Sequence, residues 1–93
     1  MDVYVYIHRR VYAVFEQLKN SSRTVGLKQS TKAVEQGIVK TAFVAKDAEE
    51  KVVRGFKELC TKKSVEIIYV DTMKELGKYC GIDVEAAVAC LLK

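Results

Sequence analysis

The chain is poor in the residues that build most small metal sites. Its 93 residues include no proline and no tryptophan, one histidine (His8) and three cysteines. Cys60, Cys80 and Cys90 are odd in number and show no Cys-x-x-Cys spacing, so no usual zinc ligand set can be assembled. We therefore expect no metal and no cofactor, and three buried or half-buried thiols in a reducing compartment.

Signatures of catalysis are also missing. No Walker loop is present, and the single histidine has no evident serine or cysteine partner for nucleophilic chemistry. The paired acids Glu49 and Glu50 stand where a helix is expected to start, and stabilisation by the helix dipole explains them. We therefore expect that the protein is not an enzyme.

Long apolar runs are absent as well. The uninterrupted apolar stretches are far too short to cross a bilayer, and no small-residue cleavage pattern follows the apolar segment 3–7. No stretch has the composition of a linker, a repeat or a low-complexity tract. These observations predict one domain over residues 1–93, located in the cytoplasm and without membrane contact.

What the sequence does have is a mild excess of positive charge. Sixteen Lys and Arg residues stand against twelve Asp and Glu, which gives a formal net charge of +4 and a pI near 9.0. Counterion release favours the binding of such a surface to polyanions. Because the excess is small, the placement of the cations matters more than their number.

The apolar pattern alternates between helix-like and strand-like periods, which predicts an α/β domain. It predicts strands over residues 23–25, 41–45, 65–70 and 86–92. Helices are predicted over residues 11–20, 27–36, 48–61 and 72–79, with Asp47 capping the third and a Thr72–Glu75 capping box opening the last. The expected fold is a three-layer α/β/α sandwich around a four-stranded mixed sheet, with a poorly determined extension over residues 1–14.

The predicted helix over residues 48–61 has the clearest amphipathic pattern. Its apolar positions recur at helical spacing and are expected to face the core: Val52, Val53, Phe56, Leu59 and Cys60. Its cations are diluted by Glu49, Glu50 and Glu58, which is typical of a solvated outer face. Nothing in this segment therefore predicts a binding surface.

Residues 26–32 predict a cationic helix start. Gly26 allows a sharp turn or the close approach of another backbone. Lys28 and Lys32 are four residues apart and project from one helix face, close to the free N–H groups of the first turn that attract anions. Gln29 can both donate and accept hydrogen bonds, as the readout of a base edge requires. The alternative is that both lysines only solvate an ordinary helix.

Residues 81–87 predict a loop with apolar side chains at its tip. Ile82 and Val84 lie between a glycine and a run of alanines, where burial is not guaranteed. Apolar loop tips can pack against unstacked bases in RNA. Asp83 and Glu85 repel phosphates, so we expect them to point away from an RNA backbone or to accept hydrogen bonds from base amino groups. The alternative is that both aliphatic side chains fold under the domain as core.

Taken together, these segments resemble the L7Ae superfamily of kink-turn RNA-binding ribosomal proteins, in particular its short bacterial YbxF-type members. The matching stretches are residues 26–33, 43–48 and 75–84, and the resemblance extends in order from about residue 15 to residue 92. It implies a non-catalytic protein that recognises and stabilises kink-turn RNA, a bend built on tandem sheared G·A pairs. It also implies that the protein is ribosomal or associated with ribosomes.

The resemblance implies roles for individual residues. Residues 26–32 would insert into the widened major groove at the kink, with Gln29 on a guanine edge and Lys32 on guanine O6 or a nearby phosphate. The loop over residues 82–85 would cap the bases looped out on the other side. The predicted RNA-binding residues are Gly26, Leu27, Lys28, Gln29, Lys32, Lys46, Asp47, Ile82, Asp83, Val84 and Glu85.

The chain departs from the archaeal and eukaryotic pattern at Lys28 and Gln29, where those relatives have Asn-Glu. A carboxylate acceptor is lost and a cation gained, so we expect charge to supply more of the affinity and base readout less. Two alternatives stay open: a structural ribosomal protein that binds another rRNA shape, and a protein-interaction module on the same scaffold. We expect the protein to be a monomer.

Overall fold

The structure is a computed structural model, and it describes residues 17–19 and 21–93. The predicted extension over residues 1–14 and most of the predicted helix over residues 11–20 lie outside the described residues. Of that helix, residues 17–19 are described and helical, and Leu18 is fully buried.

Within the described residues, four strands form one mixed sheet. The strands are β1 (Arg23–Val25), β2 (Val39–Ala45), β3 (Glu66–Val70) and β4 (Val88–Leu92), in the order β1-β4-β2-β3. β4 is antiparallel to both β1 and β2, whereas β2 and β3 are parallel. The four-stranded mixed sheet predicted from the sequence is therefore confirmed.

The described strands are connected by the helices α1 (Leu27–Glu35), α2 (Glu50–Lys62) and α3 (Met73–Tyr79). Two residues after the end of each helix stands a residue with positive φ: Gly37 (+73°), Ser64 (+59°) and Gly81 (+75°). In each case this residue donates its N–H three residues back, and the next residue donates five residues back, so the last helix carbonyls find partners. Glycine adopts this conformation without strain, whereas the Cβ of Ser64 opposes it.

The side chains of β2 alternate between two apolar cores, one on each face of the sheet. Ala42 and Val44 belong to the core beneath α1 and α2, and Phe43 and Ala45 belong to the core beneath α3. Phe43 is fully buried, and burial of such a side chain stabilises a fold by roughly 1.5–3 kcal/mol. Covered on both faces, the sheet is the middle layer of a three-layer α/β/α sandwich, as predicted.

β2 begins two residues before the predicted strand over residues 41–45. Its pairing with β4 is irregular between Val39 and Thr41, which makes Lys40 the extra residue of a β-bulge. Lys40 is exposed, while Val39 and Thr41 are buried. The charged residue interrupts the apolar run, and the sequence pattern therefore placed the start of the strand two residues too late.

Two predictions about α2 are wrong. Val52 does not face the core, since 42% of its surface is exposed, whereas Val53, Phe56 and Cys60 are buried. Asp47 does not cap this helix either, because the N-cap is Glu49 and it makes no side-chain capping bond. The carboxylate of Asp47 instead accepts a hydrogen bond from the N–H of Met73, at 2.8 Å.

Candidate nucleic-acid interface

The two segments singled out in the sequence converge on one end of the sheet. β1, β2 and β3 all end there and β4 begins there, as the pairing directions require. Three backbone hydrogen bonds meet at the start of β4: from Gly26 to Val88 (2.9 Å), from Ala45 to Ala87 (2.9 Å) and from Ala86 to Met73 (3.1 Å). The starts of α1 and α3 are thereby fixed beside the end of the 81–87 loop.

The start of α1 is held by backbone geometry and carries exposed polar side chains. Gly26 has φ +92° and ψ 161°, a conformation that side chains rarely adopt, and a Cβ built on it would meet no atom within 4 Å. Lys28, Gln29 and Lys32 are all exposed. The glycine is therefore required by the turn and leaves open space in front of the helix.

The buried residues of α1 determine which face of the helix is exposed. Leu27 is half-buried and packs against the core, and Ala33 and Val34 are buried. Ser30 is fully buried, and its hydroxyl shares a hydrogen bond of 2.9 Å with that of Thr24. Ser30 was not predicted from the sequence, and it helps to anchor the helix face opposite to the exposed lysines.

Among the described helices, only α1 starts without a side-chain cap and without a carboxylate in its first turn. α2 has Glu50 in its first turn. At the start of α3, the hydroxyl of Thr72 accepts from the N–H of Glu75 at 3.0 Å, so the predicted capping box position is confirmed. The first-turn N–H groups of a helix have no intrahelical partner, and those of α1 add their partial positive charge to Lys28 and Lys32.

The 81–87 loop runs back along α3. Ile82 donates its N–H to the carbonyl of Gly77 at 3.1 Å, and Ala86 reaches the carbonyl of Met73 near the start of the helix. Ile82 is half-buried against the core, whereas 69% of the surface of Val84 is exposed. Each interpretation of the loop tip thus holds for one residue. Ile82 contributes to the core, and Val84 is exposed to solvent.

Gly77 allows the loop to pass this close to α3, a role that was not predicted from the sequence. A Cβ at residue 77 would overlap the backbone carbonyl oxygen of Val84. A glycine inside a helix costs about 0.5–1 kcal/mol relative to alanine, so its presence in the middle of α3 was the available signal. The contact makes Gly77 a positioning residue for the loop.

A depression of about 450 Å³ lies between α3 and the loop. It is lined by Lys74, Lys78 and loop residues 82–85, with Asp83 and Glu85 exposed. Lys74 and Lys78 are four residues apart on α3 and were missed by the sequence analysis, although that spacing is the same as between Lys28 and Lys32. The surface around the loop is therefore mixed in charge, in contrast to the start of α1.

Lys46 and Asp47 follow the end of β2 at the same end of the sheet. Lys46 lies 3.2 Å from a carboxylate oxygen of Asp71, and both side chains are largely exposed, so the ion pair contributes little to stability. Asp47 is engaged with the N–H of Met73 and thereby tethers the start of α3. A role of either side chain in RNA contact stays a prediction.

The three cysteines are free and buried. Burial raises the pKa of the Cys60 thiol to about 11, and it also raises the pKa of Cys80 and of Cys90. The thiols are thus protonated and packed as small apolar side chains, as predicted. Across residues 17–19 and 21–93, no group of His, Cys, Asp or Glu is arranged to hold a metal ion, and no helix has the length and apolarity needed to span a membrane.

Residues 10–93 match the sequence model of the ribosomal protein L7Ae/L30e/S12e/Gadd45 family. The chain belongs to this family. It is 57% identical over 67 residues to the RNA-binding protein TTE2299 of Caldanaerobacter subterraneus subsp. tengcongensis, which covers 72% of this chain and 82% of that protein. The resemblance found in the sequence is therefore confirmed.

Two further matches are more distant in sequence. The large ribosomal subunit protein eL8 of Halobacterium salinarum is 37% identical over 68 residues, or 72% of this chain and 57% of eL8. The solved structure of the Giardia lamblia 15.5kD RNA binding protein matches with a TM-score of 0.78 and 22% identity, over 86% of this chain and 71% of that chain. The structural match shows a shared fold.

Proposed function

We propose that this chain is a non-catalytic RNA-binding protein that recognises and stabilises kink-turn RNA. The observation that carries the proposal is the 2.9 Å hydrogen bond from Gly26 to Val88, which joins the uncapped, cationic start of α1 to the strand that follows the 81–87 loop. The names of its relatives, an RNA-binding protein and a large ribosomal subunit protein, support RNA as the partner.

The start of α1 supplies the polar half of the interface. Its first-turn N–H groups and the exposed Lys28 and Lys32 attract phosphates and the O6 and N7 acceptors of guanine. Gln29 is exposed beside them and has an amide that can donate to and accept from one base edge. Gly26 leaves the space in front of the helix open, so RNA can approach the backbone.

The 81–87 loop supplies the apolar half. The exposed side chain of Val84 packs against an unstacked base, while half-buried Ile82 supports it from the core. A regular duplex offers no unstacked base to this loop, whereas a kinked RNA presents one together with its widened groove. The protein therefore binds the kinked conformer selectively and raises its population.

Ribosome association is the second part of the proposal. The family and the relative eL8 support a protein that binds rRNA in the cytoplasm, as a monomer on or near ribosomes. Binding to another rRNA shape is the competing function, and equal affinity for a kink-turn and for a plain duplex would favour it.

Titration of a fluorescently labelled kink-turn RNA with Gln29→Ala and Lys32→Ala tests the proposal. Each substitution should weaken binding by about 1–3 kcal/mol, the usual contribution of a good contact to a base edge. Lys51→Ala is the matched control, because Lys51 is an exposed lysine on α2, outside both halves of the interface, and should leave affinity unchanged apart from the lost charge.

A second RNA, in which Watson–Crick pairs replace the G·A pairs, tests shape recognition. We expect much weaker binding to it. Equal loss of affinity for Lys51→Ala and Lys32→Ala would remove the start of α1 from the interface. Binding that does not weaken as salt rises would indicate a protein-interaction module instead, since phosphate contacts make affinity salt-dependent.

A further inference from the structure

A second depression, of about 260 Å³, lies at the opposite end of the sheet from the proposed interface. β2 and β3 begin there, and α1 and α2 end there. Its polar lining consists of Lys40, Lys63, Ser64 and Lys93, and the rest of the lining is apolar or glycine. No carboxylate side chain lines this depression, in contrast to the depression beside α3.

The three lysines of this depression come from different elements of the fold. Lys40 is the extra residue of the β2 bulge, a feature that often re-aims a side chain. Lys63 is the C-cap of α2, and Ser64 follows it in the left-handed conformation. The N–H of Lys93 donates to the carbonyl of Ile38 at 2.9 Å, which ties the residue after β4 to the turn after α1.

Stabilisation of helix ends does not account for the whole cluster. Lys63 lies at a helix C-terminus, where a cation is favoured by the dipole. Lys40 and Lys93 lie in and after strands, so the dipole gives no reason for their charge. Within the described part of the chain, none of the three lysines has a carboxylate within ion-pair distance.

We infer that this cluster, Lys40, Lys63 and Lys93, is a second contact for RNA backbone phosphates. Three unpaired cations and a hydroxyl around a shallow depression suit phosphate oxygens and carry no base-reading amide, so the contact positions RNA without reading sequence. α2 runs from one end of the sheet to the other, and 13 helical residues span about 20 Å. The cluster therefore lies about 20 Å from the first interface, and we assign it to a second RNA segment, so that the protein bridges two RNA segments.

A two-step capture experiment tests this inference, which goes beyond the proposed function. A short kink-turn RNA is immobilised and saturated with protein, and a labelled RNA duplex without a kink is then added. The variant Lys40→Gln/Lys63→Gln/Lys93→Gln is compared with wild type and with the control Lys19→Gln/Lys51→Gln/Arg54→Gln. The control removes the same three charges from exposed positions elsewhere, and urea unfolding verifies that both variants fold.

We expect all three proteins to bind the kink-turn, and wild type and control to capture the duplex. The cluster variant should capture it at least tenfold more weakly, and the slope of log affinity against log salt for the duplex should fall by about 0.9 for each lost contact. Equal capture by both variants, or no capture by wild type, would overturn the inference. So would competition by millimolar inorganic phosphate, which would indicate a free phosphate as ligand.

The two proposals fail in distinguishable ways. If wild type does not bind the kink-turn in the first step, the proposed function is wrong. The same three proteins are then titrated directly with the duplex, and a weaker affinity of the cluster variant than of the control would still support the second contact.

Discussion

The two ends of the sheet differ in how far their backbone groups are hydrogen-bonded and in how far their apolar side chains are buried. At the end where α1 and α2 finish, turns at Gly37 and Ser64 pair the helix carbonyls with backbone N–H groups. At the other end, α1 starts with neither a side-chain cap nor a carboxylate, and Val84 exposes 69% of its surface. At the first end, the backbone groups of the helix termini are hydrogen-bonded within the protein. At the second end, N–H donors and an apolar side chain are available to a partner.

Because the two ends differ in this way, stability and RNA binding should respond separately to substitutions. A substitution at the end with the closed turns should change the free energy of unfolding and leave the affinity for a short kink-turn unchanged. A substitution at the other end should change both, because the same residues shape the backbone and the proposed interface. Three substitutions that remove or introduce glycine test this separation, in order of expected effect, and two of them have a matched counterpart elsewhere in the chain.

Gly77→Ala should have the largest effect. Its Cβ would overlap the carbonyl of Val84, so the loop must move away from α3. We expect a loss of about 1–3 kcal/mol in the free energy of unfolding, as for other overpacked sites, and kink-turn affinity weakened by roughly tenfold or more. Urea unfolding and fluorescence anisotropy measure the two quantities.

Gly55→Ala is the matched control for this change. Gly55 also lies inside a helix, but a Cβ there would meet no atom within 4 Å. We expect stabilisation by about 0.5–1 kcal/mol and unchanged RNA affinity. Equal RNA affinities for the two variants would contradict the assignment of Gly77 as a positioning residue.

Gly26→Ala should have an intermediate effect, with Gly37→Ala as its counterpart at the opposite end. Both glycines have positive φ and open space around a built Cβ, so strain of about 1–3 kcal/mol is expected in each variant. Only Gly26→Ala should also weaken kink-turn binding, because it alters the start of α1. If both variants bound RNA equally well, the two ends would not differ as described.

Ser64→Gly should have the smallest effect, and it should be stabilising. Ser64 takes at the end of α2 the conformation that Gly37 and Gly81 take at the ends of α1 and α3. Relief of the Cβ strain should add roughly 0.5–1 kcal/mol to the free energy of unfolding, after the entropy cost of glycine. Unfolding in urea measures this gain, and a variant less stable than wild type would show that the serine side chain contributes more than its strain costs.

The sequence predicted the sheet and the helices because apolar period and helix-end residues are local signals. The N-cap of α3 at Thr72 was found in this way. The bulge at Lys40 and the tether from Asp47 to Met73 were not found. Both depend on strand register or on a contact 26 residues away, which no local pattern contains.

The candidate interface was predicted in part. The exposed positions of α1 agree with the sequence pattern, since helical spacing fixes which residues share a face. The loop was harder, because a glycine and alanines on either side do not determine which aliphatic residue is buried. Ile82 turned inward and Val84 outward only because the loop crosses α3 at Gly77.

The most direct test of the central claim follows backbone amide signals by NMR during titration with a short kink-turn RNA. The start of α1 and the loop beside α3 form one interface in this account. Signals of residues 27–29 and 82–86 should therefore shift together and saturate at one protein per RNA, while those of residues 36–40 and 62–65 stay in place. Shifts confined to one of the first two segments, or centred on the opposite end of the sheet, would contradict it.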